Sequence, residues 1–177
     1  MKIGIVSDTH GMAKRLAAAI EMLTQRGAEA LVHCGDVGSV ECVELLGAAA
    51  APAYMVAGNM DRRTAPLANA AANRGVTFNP DVVEVDLGGG RLLAAAHGHD
   101  PAALARLIAG GRFEYVCHGH THRVRDEQVG RVRVINPGAV YNCRRPAHPT
   151  VALLDTGPQT LEFIEVPRQA EHVAGSR

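Results

Sequence analysis

The 177-residue sequence predicts an α/β fold, and three observations carry that reading. Over the first sixty residues, short apolar runs alternate with stretches of helical periodicity, the pattern of parallel strands joined by right-handed crossovers. Each of those runs ends in a polar loop that delivers an acidic or amide residue, which is where open α/β sheets place their ligands. The second half instead holds short strands separated by turns, as in antiparallel pairing. At 47% hydrophobic residues, the chain reads as a single domain over residues 1–167 that buries about two-thirds of its unfolded surface.

In chain order, residues 3–6 form a buried strand that stops at Ser7-Asp8-Thr9-His10-Gly11. Residues 12–26 place Met12, Leu16, Ile20 and Leu23 at helical spacing, and Gly27 follows as the C-terminal cap. Residues 30–33 are a second strand ending at Cys34-Gly35-Asp36, residues 39–49 a second helix stopped by Pro52. Residues 53–57 are a third strand ending at Gly58-Asn59-Met60-Asp61. Residues 62–80, with Arg62 and Arg63 at their start and Pro80 at their end, are expected to form a cap or wall. Residues 82–87 and 91–96 flank three glycines and read as a hairpin that leads into His97-Gly98-His99-Asp100. A short helix follows over 101–108, with Pro101 at its first position. Residues 115–117 form a strand leading into His118-Gly119-His120-Thr121-His122, and residues 124–128, 131–135, 150–155 and 160–166 read as antiparallel strands. The polar tail over 168–177 is expected to fray.

Composition excludes several function classes. Eighteen Lys and Arg balance eighteen Asp and Glu, so there is no basic excess for bulk nucleic-acid binding and no charge-rich disordered chain. No apolar stretch is long enough for a signal peptide or a membrane span, so the expected location is the cytoplasm, with no membrane partner. Four cysteines (Cys34, Cys42, Cys117, Cys143) show no paired spacing and read as reduced packing residues. No phosphate-binding GxxxxGK[ST] loop or GxSxG nucleophile elbow is present. Histidine stands out instead: there are nine, five of them at 97, 99, 118, 120 and 122.

Five loops carry the chemistry: Asp8-x-His10, Gly35-Asp36, Gly58-Asn59-Met60-Asp61, His97-Gly98-His99, and Gly119-His120-Thr121-His122. Their carboxylate, imidazole and amide donors suit first-row metals such as Mn, Fe, Ni, Co and Zn rather than Ca or Mg. Asp8 with His10, and His120 with His122, alternate so that both donors of a pair share one side of an extended segment. Seven donors are too many for one ion and suit two that share a carboxylate. A two-metal site activates a bridging water and clamps a phosphoryl displacement, which points to a hydrolase of phosphate esters.

The order of these motifs, closed by Asn136-Pro137-Gly138, resembles the calcineurin-like metallophosphoesterase superfamily, and in its length the small prokaryotic phosphodiesterase branch. The resemblance runs from Asp8 to about Gly138. It implies a four-layer αββα sandwich of two mixed β-sheets flanked by helices, with a dinuclear metal site at the C-terminal strand ends. It also implies that Asp8, His10, Asp36 and His122 hold the first ion. Asp36, as the bridge, would hold the second with Asn59, His97 and His120. The expected reaction is attack of a metal-bridging hydroxide on a phosphodiester, including a cyclic nucleotide, or on an activated phosphomonoester. Two Mn ions are the expected cofactors, with Ni, Fe, Zn and Co as alternatives. The expected catalytic residues are Asp36, Asn59 and His99. Two dications set against Asp8, Asp36 and a hydroxide leave the site roughly one charge positive, an anion trap in a neutral chain.

The chain departs from the family pattern at Met60, where many members carry a histidine that protonates the leaving group. His99 or solvent is expected to supply that proton, which favours acidic or strained leaving groups. Ala139 replaces a serine common in the branch and is expected only to tune a loop. Several residues have plainer readings. Asp8 or Thr9 reads alternatively as a helix N-cap, and Asp36 and Asn59 as turn residues. Asp61 is either a cap, a surface partner or a residue that orients a ligand. His33 and His118 are expected to be structural, and His148 and His172 exposed. Arg144 and Arg145 belong to a solvated turn or reach a substrate phosphate. The non-enzymatic rival is a scaffold on the same fold, as in the retromer subunit. The expected partner is a small phosphate ester, and self-association into a homo-oligomer is the other expected contact.

Overall fold

The structure, a computed structural model, describes residues 1–141 and 148–167. Cys143, Arg144, Arg145, His172 and the tail over 168–177 lie outside them. The first strand, β1 (Lys2–Val6), pairs in parallel with β2 (Ala30–His33), β2 with β3 (Ala53–Val56), and β3 with β4 (Thr77–Asn79). The crossovers are α1 (Ala13–Gln25), α2 (Val40–Ala48) and α3 (Thr64–Arg74). Residues 62–80, expected to form a cap or wall, fold as α3 and β4 of the first sheet, with Pro80 lining a cavity beside His97. They supply the third crossover helix and the fourth strand of that sheet, and the small Ala-rich face of α3 packs on its neighbours through Leu67, Ala70 and Ala71. Gly27 stands one residue beyond the α1 cap at φ +84°, where its N–H bonds Thr24 O and the Ala28 N–H bonds Leu23 O.

A hairpin of β5 (Val82–Gly88) and β6 (Arg91–Ala96) opens the second sheet, with a register shift between Asp86 and Gly88. After α4 (Pro101–Ala109) come β7 (Tyr115–Cys117), β8 (Val124–Val129) and β9 (Val132–Pro137). The expected antiparallel run is corrected here: β9 pairs antiparallel with β8 but parallel with β7. The last strands, β10 (Thr150–Asp155) and β11 (Thr160–Glu165), return to the first sheet, where β10 runs antiparallel to β1. The sheet orders are β11-β10-β1-β2-β3-β4 and β5-β6-β7-β9-β8. Both are mixed.

Period-2 alternation sends alternate residues of each strand into different layers. Ile3, Ile5 and Val32 of the first sheet meet Leu93, Tyr115, Cys117 and Ile135 of the second, forming the core between sheets. Val6 and Leu31 face the other way, against Leu16, Leu23 and Val43 of α1 and α2. Val116 and Val134 turn outward to pack with Leu104 and Leu107 of α4. Three apolar interfaces thus separate four layers, which gives the αββα sandwich. A Cβ at Gly4 would come within 2.9 Å of Leu23, so this glycine sets how closely α1 approaches the sheet.

Candidate metal centre

The parallel strands β1, β2, β3, β6 and β7 all end at one edge of the sandwich, and the five donor loops meet there. The first two loops lie side by side, with Asp8 N–H donating to Gly35 O and His10 N–H to Asp36 O. Asp8 is fully buried. Its Oδ2 accepts from Ser7 Oγ at 2.6 Å and from the His120 N–H at 3.0 Å, which ties the two sheets together. Its Oδ1 has no hydrogen-bond partner and lies 3.2 Å from His122 Nε2. His10 Nε2 is 3.5 Å from His122 Nε2 and 3.7 Å from Asp36 Oδ2.

Asp36 is equally enclosed. Oδ1 accepts from the Met60 N–H at 2.8 Å, and Oδ2 lies between His10 and His97, 3.4 Å from His97 Nε2. His97 points its Nδ1 at Cys34 O, 2.8 Å away, so the N–H there is committed and Nε2 faces the site. That Nε2 is 3.0 Å from Asn59 Oδ1. The lone pairs of carboxylates, imidazoles and an amide therefore converge with few donors between them. Donor atoms of Asp8, His10 and His122 lie within 4.8 Å of one another, as do those of Asp8, Asp36 and His97. A buried carboxylate oxygen with no donor, facing imidazole nitrogens, fits a bound cation. Asn59 and His120 stand at the more open side, both exposed, with the His120 ring 5.2 Å from that of His97. His99 is exposed further out, its ring 5.5 Å from His97 and 6.3 Å from His120.

The electrostatics follow from this crowding. Burial alone would raise the Asp36 pKa, but the His97 ring, which in the metal-free chain donates from Nε2 when protonated, and the Met60 amide outweigh it and lower the pKa below its usual range. Burial likewise works against charge on His97, and its contacts with Asp36 reverse the sign and raise its pKa. Desolvation, then the neighbouring His97, lowers that of His120 and keeps it neutral.

Backbone conformation marks the same residues. Among the described residues, six that are not glycine have positive φ, and five are Asp8, His10, Asp36, His120 and His122. Left-handed backbone is unfavourable for L side chains and persists where the surroundings force it. Here the forcing comes from side chains that bond backbone amides. Asp61, buried, accepts from the N–H groups of Val37, Gly38 and Gly58, each at 2.9 Å. It is neither a helix cap nor a surface partner but the residue that shapes the Asp36 loop. Asn136 donates to Gly119 O at 2.8 Å and to Thr121 Oγ1 at 3.1 Å, which holds the His120–His122 loop. Asn136 entered the sequence reading only through its Asn-Pro-Gly motif. Thr9 is not a cap either; its hydroxyl donates to Val37 O at 2.8 Å. Met12 stands at the N-cap of α1 with no side-chain cap bond.

His33 and His118 are structural, as expected. His33 Nδ1 accepts from the Gly35 N–H, leaving Nε2–H to donate to Thr9 Oγ1 at 3.0 Å, and burial lowers its pKa to about 4. His118, also kept neutral by burial, donates from Nδ1 to Gly119 O. Cys34, Cys42 and Cys117 are buried free thiols, and desolvation raises the pKa of all three. His148 is exposed, near Glu165. Among the described residues, no helix is long and apolar enough to cross a membrane.

Fold and site together define a sandwich of two mixed sheets with one edge whose clustered donor atoms could hold a cation. Residues 1–159 match the calcineurin-like phosphoesterase superfamily domain. Phosphodiesterase MJ0936 of Methanocaldococcus jannaschii is 31% identical over 94% of this chain and 98% of its own. A solved structure described as a novel archaeal phosphodiesterase is 30% identical, covers 94% of this chain and all of its own, and superposes with a TM-score of 0.83. Vacuolar protein sorting 29 from Cryptosporidium parvum is 20% identical over 93% of this chain and 96% of its own, at a TM-score of 0.62, a likeness of fold. The chain belongs to the calcineurin-like phosphoesterase superfamily.

Proposed function

We propose that the chain is a metal-dependent phosphoesterase that hydrolyses a phosphodiester or an activated phosphomonoester. The observation that carries this reading is the buried Asp8 Oδ1, without a hydrogen-bond partner and beside the His122 imidazole, in a cluster whose donor atoms, those of His10 included, lie within 4.8 Å of one another. Family membership and the archaeal phosphodiesterase relatives support it. Asp8, His10, Asp36 and His122 would hold one divalent ion, and Asp36, Asn59, His97 and His120 a second. Mn is the favoured metal, with Ni, Fe, Zn and Co as alternatives. Two such ions would supply Lewis acidity and an activated water for hydrolysis of a phosphate ester.

The chain contributes the rest. Asp36, pinned by the Met60 amide, holds the two halves of the donor set together. Cys34 O fixes the His97 tautomer so that Nε2 stays aimed inward. Asn59, exposed at the rim, is placed to hold a phosphoryl oxygen. Met60 is 56% exposed and has no proton to give, so His99 is assigned the delivery of a proton to the leaving oxygen. His99→Ala should then slow poor leaving groups more than good ones. The substrate is a small phosphate ester, turned over in the cytoplasm by a chain that self-associates. A scaffold on the same fold is the second reading, favoured by the likeness to a vacuolar protein sorting protein. Bis(p-nitrophenyl) phosphate and p-nitrophenyl phosphate, assayed with Mn, Ni, Mg and Zn in turn, separate the two. Metal-dependent hydrolysis led by the diester is expected, and no metal-dependent turnover of either ester overturns the enzyme reading.

A further inference from the structure

Ser7, the residue after β1, is fully buried but is not one of the donors and has no role in the chemistry described so far. Its hydroxyl stands 2.6 Å from Asp8 Oδ2, the short range of an O–H donating to an ionised carboxylate. The His120 N–H reaches the same oxygen from the second sheet, at 3.0 Å. A carboxylate oxygen carries two lone pairs, so these two donors fill Oδ2. Oδ1 is left alone, buried and 3.2 Å from His122 Nε2. Asp36 is held more loosely, since a single amide, that of Met60, bonds its Oδ1. Packing leaves no substitute for the Ser7 hydroxyl. A Cβ at Gly119 would overlap both Ser7 Oγ and Asp8 Oδ2, so the glycine backbone closes directly over the pair. In Ser7→Ala a water would need more room than the hydroxyl it replaced, and Gly119 denies it.

We propose that Ser7 is a positioning residue of the metal centre. Its hydroxyl, together with the His120 amide, makes Asp8 a one-oxygen ligand by holding Oδ2 and presenting Oδ1 to the ion. The inference rests on the metal-dependent reading above and deepens it. Without the hydroxyl, Oδ2 keeps one donor, and the carboxylate is free to turn about its Cβ–Cγ bond. Oδ1 then leaves the place where it meets the His10 and His122 nitrogens. The loss also removes a donor that draws charge from the carboxylate, so Asp8 changes as a ligand in charge as well as in direction. Groups that orient a ligand from behind are worth roughly 10–100-fold in metal affinity.

Calorimetric titration of the chelator-treated chain with Mn tests the role without turnover. In Ser7→Ala one Mn affinity should fall about tenfold or more while the other stays within about threefold, and Ser7→Thr, which keeps the hydroxyl, should restore the first. The visible absorption bands of the Co-loaded chain should change in Ser7→Ala and return to their natural positions in Ser7→Thr. Lower stability alone does not move those bands. Unchanged affinities and bands in Ser7→Ala overturn the positioning role, even where the variant melts earlier. A natural chain that binds no divalent ion overturns the phosphoesterase reading and this role with it. Should neither variant fold, the natural chain decides. Its Ser7 hydroxyl proton, shielded from solvent, should be visible by NMR and should shift when diamagnetic Zn is added. A proton that exchanges freely with solvent, or one that Zn does not move, overturns the role.

Discussion

At both ends of the sandwich the chain uses left-handed backbone, on glycines and Gln159 at one end and on five donor residues as well as glycines at the other. At the end away from the donor loops, the chain reverses at Gly75, Gly88, Gly89, Gly90 and Gly130, all with positive φ and open space where a Cβ would stand. Left-handed backbone there is nearly free. At the donor end the same conformation falls on Asp8, His10, Asp36, His120 and His122, where it costs on the order of 1 kcal/mol each. Glycine would remove that cost and also the donor. The donor end is therefore held in place by its surroundings, chiefly Asp61, Asn136, His33 and Thr9, rather than by local preference.

Removing a residue that holds the donor end should have the largest effect. Asp61→Ala leaves three backbone N–H groups without their charged acceptor and should lower unfolding stability by about 4 kcal/mol. Urea denaturation of the metal-free chain reads it, and a loss under about 1 kcal/mol would mean the Asp36 loop supports itself. His33 gives the next effect, through pH. Its ring takes a proton near pH 6.5 when unfolded but near 4 when folded, so its contribution is complete above 6.5 and is lost as pH falls towards 4. The loss should total about 3 kcal/mol, with about 2 kcal/mol gone by pH 5. In His33→Gln the stability difference between pH 7.5 and pH 5 should shrink accordingly, and an unchanged difference would place the acid sensitivity elsewhere.

Smaller effects should have opposite signs at the two ends. His120→Gly frees a left-handed residue from its strain, so the metal-free chain should gain about 1 kcal/mol while its metal affinity falls. Gly89→Ala imposes that strain in an open turn and should cost up to about 1 kcal/mol with metal affinity untouched. Equal signs in the two melting curves would erase the distinction between the ends.

Periodicity made most elements legible. The strand over residues 30–33 and the helix opening at Pro101 are found where the pattern puts them, because apolar alternation and an N-terminal proline act locally. Pairing partners were not legible: residues 132–137 read as a strand, but nothing local says that β9 joins β7 in parallel. The Ala-rich stretch over 64–74 carries too few large apolar residues to announce a helix inside the fold. At the site, donors stand out because each follows a strand, with glycines beside Asp36, Asn59, His97 and His120. The residues that position them do not, since Asp61 acts on amides 23 and 24 residues earlier and Asn136 on a carbonyl 17 earlier, contacts that only the folded chain creates.

The proposed function requires the strained donor end to hold metal. Titrating the chelator-treated chain with Mn, and counting bound ions per chain by elemental analysis, tests it most directly. Two ions per chain are expected, with loss of at least one, and an affinity drop of more than about 100-fold, in Asp36→Ala. A chain that binds no Mn, Ni, Fe, Zn or Co, or an Asp36→Ala variant that binds two ions as before, would contradict it.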